Sequence, residues 1–341
     1  MQIAILGAGA WGTALAIALA PRHHVCLWAR DKAQVTVMNT RRENPLYLAD
    51  CPFPEALQVT SDFTTAVTSA DLLILAAPLA GLRPLLEQLR QLSQLSTSAT
   101  PAPRRFLWVC KGLEAMTGKL PHQVVTDVLD HAADATATPS WGALTGPSFA
   151  FEVAQGLPTA LTLATTDITF ATDIAHALHG GNLRIYANDD LIGAEVGGAV
   201  KNVMAIAAGV SDGLGLGHNA RAALLTRGLV EITRFGMALG ARRETFTGLT
   251  GLGDLILTCT GDLSRNRRVG LLLAEGQNLT AIQHTLGHVA EGVFTAREVA
   301  QRAAAMGIDM PITAAVAGLL DGRTTPRETV HQLMARDART E

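Results

Sequence analysis

The sequence predicts an α/β protein in which an N-terminal Rossmann-like, doubly wound sheet is followed by an all-α C-terminal domain. Short apolar strands alternate with helices up to about residue 186, which is typical of a parallel sheet covered on both faces. From Asp189 onward no clear strand is present, and helices with glycine-rich connections follow. A chain of 341 residues has room for two domains. We therefore predict a dinucleotide-binding domain over residues 1–187 and a helical, substrate-binding and catalytic domain over residues 188–341.

The first dozen residues carry the strongest single signal. An apolar strand over residues 3–6 runs into Gly7, Gly9 and Gly12, which have the spacing G-x-G-x-x-G, and an Ala- and Leu-rich helix follows. In that context the glycines allow a tight turn, a close approach of pyrophosphate to the backbone, and packing of the helix on the strand. The pattern indicates a dinucleotide at the N-terminus of the helix. A glycine turn without a ligand is the alternative.

The second strand, over residues 24–29, ends at Arg30. Folds specific for NAD carry an acid at this place that binds the ribose 2′-hydroxyl, whereas an arginine can pair with a 2′-phosphate. The sequence therefore favours NADP(H), while NAD(H) stays possible because Asp31 is the next residue. A solvated turn arginine is the alternative.

The remaining elements of the first half follow from apolar runs, caps and breakers. We predict strands over residues 57–60, 72–76, 106–110, 141–144, 159–164 and 183–186, helices over 32–42, 61–70 (capped by Ser61 or Asp62), from 78 through 89, 122–131 and about 170–179, and loops over 93–103 and 132–140.

Two of these strands end in polar or glycine-rich residues. Lys111 follows the strand over residues 106–110, and Gly146, Pro147 and Ser148 follow the strand over residues 141–144. Ligands of such sheets bind at the carboxyl ends of the strands. Lys111 is therefore a candidate to contact both cofactor and substrate, although a solvated lysine remains the alternative.

Lys201 lies within the most apolar long stretch of the chain, residues 191–210. The stretch has the length of a membrane span, but it contains Glu195, Lys201 and four glycines, so we expect a buried helix and no stable membrane insertion. Burial makes a lysine costly unless it is paired, and a paired lysine can act as a general acid or base. A lysine whose charge reaches solvent between helices is the alternative.

Further polar residues lie in glycine-rich or helix-starting segments of the second half. Asp254 follows three glycines, where a carboxylate can reach a neighbouring lysine. Ser264, Arg265 and Asn266 begin a helix, and cations in a first turn are unfavourable unless an anion such as a phosphate binds there. A solvated basic turn is the alternative. Glu291, between apolar residues before the next helix, indicates little by itself.

Composition limits the classes of partner. A formal net charge of −3 with 17% charged residues gives no electrostatic reason to expect nucleic acid or an anionic membrane. Four scattered cysteines without a C-x-x-C pair indicate reduced thiols, without a disulfide frame or metal site. The N-terminus enters a strand directly, without the pattern of a signal peptide, so we expect a cytoplasmic protein.

Taken together, the motifs resemble one family. These are residues 7–14 (GAGAWGTA), Lys111-Gly112, residues 146–150 (GPSFA), Lys201-Asn202, residues 251–254 (GLGD), residues 264–266 (SRN) and residues 290–292 (AEG). In this order they are similar to the bacterial type of NAD(P)-dependent glycerol-3-phosphate dehydrogenase. The resemblance implies reduction of dihydroxyacetone phosphate to sn-glycerol 3-phosphate, a precursor of phospholipids, by a homodimer.

The resemblance also implies roles for individual residues. Cofactor contacts fall on Ala10, Trp11, Arg30, Lys111, Ala150, Arg265, Val289 and Glu291. Substrate contacts fall on Lys111, Gly146, Ser148, Lys201, Asp254, Ser264, Arg265 and Asn266. Lys201 is implied as proton donor and acceptor, helped by Lys111 and Asp254. The family often has serine where this chain has Ala10, so only a backbone contact to phosphate is expected there.

Two other functions are compatible with the residues alone. One is a related reductase of a 3-hydroxy acid or keto acid; the segment from Ser264 to Asn266 favours a phosphorylated substrate instead. The other is a module that senses a dinucleotide without catalysis, against which two lysines and an aspartate argue.

Overall fold

The computed structural model describes residues 1–95, 105–129, 139–286 and 290–335. Close packing divides the chain into two units. Unit 1 comprises Met1–Lys111 and Pro121–Leu191, and unit 2 comprises Gly112–Leu120 and Ile192–Glu341. The domain boundary after residue 187 stays a prediction.

Unit 1 is built on one eight-stranded sheet with the order β3-β2-β1-β4-β5-β6-β7-β8. The first six strands follow the order of a doubly wound dinucleotide-binding sheet, in which the direction of winding switches between β1 and β4. The predicted fold class is thereby confirmed. The strands are β1 Gln2–Leu6, β2 His24–Trp28, β3 Gln58–Thr60, β4 Leu72–Leu75, β5 Arg105–Trp108, β6 Ser140–Thr145, β7 Thr159–Ala164 and β8 Leu183–Asn188.

All neighbouring strands pair in parallel except β6 and β7, which are antiparallel. The connection between these two strands contains a helix of only five residues, Ala150–Ala154. Such a helix rises about 8 Å, whereas a return along a six-residue strand needs about 20 Å. The chain therefore reverses direction at this point of the sheet.

The centre of the sheet is apolar on both faces. All four residues of β4 are buried, as are the last four residues of β1. Continuous apolar runs of this kind are required where helices cover both faces of a parallel sheet.

The helices of unit 1 agree with the prediction at most places. The helix after β4 is longer than predicted, because it continues to Leu95 through Pro84. The five-residue helix was not predicted. Of the predicted loops over residues 93–103 and 132–140, residues 93–95 belong to the helix after β4 and Ser140 begins β6, while residues 96–103 and 132–138 lie outside the described residues. The helices are α1 Ala10–Leu19, α2 Lys32–Arg41, α3 Phe63–Thr68, α4 Leu79–Leu95, α5 Pro121–Leu129, α6 Ala150–Ala154 and α7 Ile168–Leu178.

From Leu191 onward, the described residues of unit 2 form helices joined by turns, as predicted, whereas its segment Gly112–Leu120 contains no helix or strand. A 3₁₀ turn over Arg243–Thr247 and a π-helical turn over Leu249–Gly253 precede α10. The helices are α8 Leu191–Gly213, α9 Gly217–Ala238, α10 Asp254–Thr260, α11 Arg265–Ala274, α12 Leu279–Leu286, α13 Glu291–Ala305, α14 Pro311–Leu320 and α15 Pro326–Met334.

Helix α8 lies at the centre of unit 2. Within the described residues it is the one helix whose length and composition would allow it to cross a membrane, and 89% of its most apolar window is buried. Its apolar side chains, such as Val200, Val203 and Met204, are fully buried. Burial of this degree is typical of a core helix.

Candidate functional site

The glycine turn of unit 1 has a geometry that requires glycine at two positions. Gly7 donates its N–H to the Trp28 carbonyl at 3.0 Å and has a φ of +127°. A Cβ on Gly7 would lie 2.6 Å from the Ala76 carbonyl oxygen, and one on Gly12 would lie 2.0 Å from the Gly7 carbonyl oxygen. A side chain at Gly12 would therefore push α1 away from the end of β1, and one at Gly7 would collide with the backbone that follows β4.

The turn leaves one side open at Gly9, the N-cap of α1. Among the residues that the structure describes, a Cβ on Gly9 would meet no atom within 4 Å, and no side chain caps the helix. The N–H groups of the first turn, which contains Ala10 and Trp11, are therefore not capped by a side chain, and the positive end of the helix dipole lies there. This arrangement fits the pyrophosphate of a dinucleotide.

Arg30 and Asp31, after β2, differ in what their side chains do. The carboxylate of Asp31 caps α2 by accepting the N–H of Ala33 at 2.8 Å and that of Gln34 at 3.4 Å. Arg30 is exposed. The basic residue is thus accessible to an anion, while the acidic residue serves the helix.

Three of the predicted substrate residues in unit 1 converge on one carbonyl group. Lys111 Nζ donates to the Gly146 oxygen at 3.4 Å, and Ser148 Oγ donates to the same oxygen at 3.2 Å. Gly146 has a φ of +128°, which turns the chain after β6. Ala150, the first residue of α6, is partly buried against the core of unit 1.

Lys201 is the centre of a buried polar cluster in unit 2. Its Nζ donates to Asp254 Oδ1, and it also donates to Thr258 Oγ1 at 2.9 Å. Thr258 in turn donates to the Asp254 carbonyl at 2.6 Å. Lys201 is 6% exposed and Asp254 is 1% exposed, so the ammonium and the carboxylate compensate each other away from water.

Close backbone packing brings these side chains together. One turn before Lys201 on α8, a Cβ on Gly197 would lie 2.4 Å from the Thr250 carbonyl oxygen. The π-helical turn that contains Thr250 leads directly into Asp254 at the start of α10. The glycine on α8 therefore lets the segment that carries the carboxylate approach the lysine.

Thr258 and its neighbour Cys259 were not singled out from the sequence. Thr258 follows Asp254 by four residues, so both face the same side of α10, and this spacing was the available signal. Burial raises the pKa of the Cys259 thiol to about 12. The thiol is thus protonated near neutral pH and is not a nucleophile.

The start of α11 presents the predicted phosphate-binding residues. Ser264, which is buried, caps the helix by accepting the Arg267 N–H at 3.2 Å. The guanidinium of Arg267 pairs with Asp212 at 2.8 Å and with Asp262 at 3.0 Å. Arg265, in contrast, is exposed in the first turn, where the helix dipole favours an anion beside it.

Asn266 links three helices. Its Nδ2 donates to Asn202 Oδ1 on α8 at 3.0 Å, and its Oδ1 accepts the N–H of Gly292 on α13 at 3.0 Å. Asn202 was not among the predicted site residues, although it follows Lys201 directly. Glu291 is the first residue of α13, whereas Val289, a predicted cofactor contact, lies outside the described residues.

Two family models match the chain in succession. The model described as NAD-dependent glycerol-3-phosphate dehydrogenase N-terminus matches residues 2–171, and the model described as the C-terminus of the same enzyme matches residues 190–331.

Individual proteins resemble the chain over its whole length. Glycerol-3-phosphate dehydrogenases [NAD(P)+] from Dechloromonas aromatica and Aromatoleum aromaticum are 58% and 57% identical to it, covering 100% of this chain and 99% and 100% of theirs. A crystal structure of glycerol-3-phosphate dehydrogenase from Coxiella burnetii has 40% sequence identity and a TM-score of 0.89, covering 98% of this chain and 99% of that one.

Proposed function

The chain belongs to the NAD-dependent glycerol-3-phosphate dehydrogenase family, and we propose that Lys201 supplies the proton when it reduces dihydroxyacetone phosphate to sn-glycerol 3-phosphate. The chain is an NAD(P)-dependent oxidoreductase. The observation that carries the proposal for Lys201 is the buried cluster in which its ammonium contacts Asp254 and Thr258.

Lys201 acts as a general acid in the direction of reduction. When bound, the reduced dinucleotide supplies a hydride to the ketone carbon, and negative charge then develops on the ketone oxygen. A positioned ammonium stabilises this charge and transfers its proton to the oxygen. Asp254 and Thr258 hold Nζ in one orientation, and in the reverse direction the neutral amine of Lys201 accepts the proton of the alcohol.

The residues of unit 1 bind the dinucleotide. Gly7, Gly9 and Gly12 form the turn for the pyrophosphate, with Ala10 and Trp11 at the start of α1. We assign Lys111 to contact both dinucleotide and substrate, with Gly146 and Ser148 as further substrate contacts. They follow β5 and β6, neighbouring parallel strands at whose carboxyl ends ligands of such sheets bind, and their contacts at the Gly146 carbonyl keep them together.

The cofactor preference is for NADP(H), with NAD(H) as a possible second cofactor. Arg30 is exposed and available to a 2′-phosphate, whereas the Asp31 carboxylate caps α2. An arginine pairs well with a phosphate because its planar donors match the oxygens.

The residues at the start of α11 hold the substrate phosphate. Arg265 contributes an exposed positive charge, and the helix N-terminus adds its dipole. Ser264 and Asn266 fix this first turn through the cap and through the contact to Gly292.

The cellular setting in this proposal is a cytoplasmic homodimer that supplies glycerol phosphate for phospholipid synthesis. Membership of a family of metabolic dehydrogenases supports it. Exposed apolar side chains on unit 2, such as Leu216, Val230 and Met334, are compatible with a protein partner. The net charge of −3 gives no support for a nucleic-acid partner.

The substitution Lys201→Met tests the proton donor, because it keeps most of the side-chain volume and removes the ammonium. We expect turnover of dihydroxyacetone phosphate with NADPH to fall at least about 100-fold, while the dissociation constant for NADPH stays within about twofold of the wild type. The matched control is Glu231→Gln, which removes another buried charge of unit 2 and should keep turnover. A folded Lys201→Met variant with near wild-type turnover would contradict the proposal.

A further inference from the structure

The carbonyl group of Ala8, inside the glycine turn, accepts two side-chain hydrogen bonds. Asn44 Nδ2 donates to it at 2.9 Å, and Gln34 Nε2 donates to it at 3.1 Å. Asn44 comes from the loop after α2 and Gln34 from the first turn of α2 itself. Two side chains that come 26 and 36 positions after Ala8 therefore hold one peptide group of the turn.

Asn44 is committed to this task. The residue is fully buried, and its Nδ2 also donates to Thr13 Oγ1 on α1 at 2.8 Å. Its Oδ1 has no hydrogen-bond partner among the described residues. A buried amide oxygen without a partner lowers stability. Among the described residues, the hydrogen bonds that Nδ2 donates to Ala8 and Thr13 are the ones that offset this cost.

The orientation of the Ala8 carbonyl fixes the direction of the next N–H group. In a planar trans peptide the C=O of Ala8 and the N–H of Gly9 point in opposite directions. Because Asn44 and Gln34 hold the oxygen on one side, the Gly9 N–H points to the other. That N–H is the first donor of the uncapped start of α1, and Gly9 is the residue at which the turn is open.

We infer that Asn44 and Gln34 are positioning residues for cofactor binding, which hold the Ala8–Gly9 peptide so that the Gly9 N–H faces the dinucleotide pyrophosphate. The inference rests on the proposed function in that it takes the glycine turn as the dinucleotide site. Neither residue belongs to the G-x-G-x-x-G pattern.

The test is the substitution Asn44→Ala, with the dissociation constant for NADPH measured by fluorescence titration without substrate. Loss of the amide donor frees the peptide to rotate, so we expect NADPH to bind about five- to tenfold more weakly. We expect turnover at saturating NADPH and the KM for dihydroxyacetone phosphate to stay within about twofold. A purely structural role would lower the melting temperature and leave the dissociation constant unchanged.

Two further variants keep the experiment decisive. Asn39→Ala is the matched control, because Asn39 Nδ2 also donates to a backbone carbonyl, that of Val59 at 3.2 Å, outside the turn; NADPH affinity should not change. Gln34→Ala removes the other donor from a partly buried position and should weaken NADPH binding about threefold even if Asn44→Ala fails to fold. Unchanged NADPH affinity in Gln34→Ala and in folded Asn44→Ala would overturn the inference. Failure of the proton-donor proposal would be recognised separately, because it concerns turnover of Lys201→Met and not NADPH binding.

Discussion

The charge of Lys201 is paired with the Asp254 carboxylate within a buried cluster. A buried ion pair stabilises a fold little more than apolar residues in place of both partners would, because both charges lose their hydration. Removing one partner is more costly, about 3–5 kcal/mol, since the other charge is left buried. Variants at Lys201 or Asp254 should therefore melt at lower temperatures, and turnover must be compared at temperatures where each variant is folded.

Arg30 determines the cofactor preference in the proposal, which the substitution Arg30→Ala tests. The variant loses the partner of the 2′-phosphate, so we expect its KM for NADPH to rise about tenfold while its KM for NADH changes less than about twofold. Arg41→Ala, at another exposed arginine of the same region, should change neither. Use of NADH by the wild type at an efficiency equal to or better than that of NADPH would show that the preference is wrong.

At the scale of single residues, the sequence indicated the site where a residue type is unusual in its surroundings. Lys201 in an apolar helix and Asp254 after three glycines were recognised for that reason, and they contact each other. Thr258 and Asn44 were missed because threonine and asparagine are ordinary residues in a helix or loop. Their importance depends on which atoms lie opposite them, and this follows only from the packing of distant segments.

The N-terminus of α11 concentrates the proposed phosphate contacts. Arg265→Ala should raise the KM for dihydroxyacetone phosphate about 10- to 100-fold, the range for a lost hydrogen bond between charged groups. With unphosphorylated dihydroxyacetone the variant and the wild type should perform alike. Arg268→Ala removes the same charge from an exposed position of the same helix and serves as the control. Equal effects of the two substitutions would indicate general electrostatics instead of a contact.

Helix α14 is capped by a side chain from another helix. Its N-cap residue, Met310, provides no side-chain cap, and Glu231 on α9 accepts the N–H groups of Ile312 at 2.7 Å and Thr313 at 3.1 Å. Burial nevertheless raises the pKa of the Glu231 carboxyl above its ordinary value of 4.5. The folded protein thus holds this proton more tightly than the unfolded chain does.

This shift predicts a pH dependence of stability. A raised pKa in the folded state contributes stability that is present below about pH 4.5 and is lost as the pH rises through the folded pKa. The melting temperature of the wild type relative to Glu231→Gln should therefore decrease from pH 5 to pH 8. An increase over the same interval would contradict the assigned direction.

At the scale of helices and strands, an element was predictable where the periodicity of its apolar residues and the length of its segment indicate the same type of structure. Strands with continuous apolar runs, such as β4, and helices with a cap, such as α3 with Asp62, were found within a few residues. The five-residue α6 was missed because its segment is too short for a helical period to be visible. The antiparallel pairing of β6 and β7 depends on that short connection, so it could not be recognised either.

At the scale of the whole molecule, neither unit is one continuous segment of the chain, because each is formed by two separate segments. Residues Gly112–Leu120 follow β5 of unit 1 but belong to unit 2. Arg302 of α13 donates to the Gly118 carbonyl at 2.7 Å, and the Met116 N–H donates to Glu298 at 3.3 Å. The sequence alone does not assign this segment to unit 2, because the contacts that place it there join residues about 180 positions apart.

In the proposed mechanism, the residues of the two units have different roles. Unit 1 contributes the glycine turn, Arg30 and Lys111, while unit 2 contributes Lys201 with its partners and the phosphate-binding start of α11. Cofactor affinity and proton transfer are therefore expected to respond to different substitutions.

The most direct test of the central claim, proton donation by Lys201, is rescue of Lys201→Ala by a small amine. This variant leaves space beside Asp254, into which methylammonium can bind and donate a proton in place of the lost side chain. We expect turnover of dihydroxyacetone phosphate to rise with methylamine concentration in Lys201→Ala, but not in Lys201→Met, where the methionine fills the space. Turnover that does not depend on the amine, or that rises equally in both variants, would contradict the assignment of Lys201 as the proton donor.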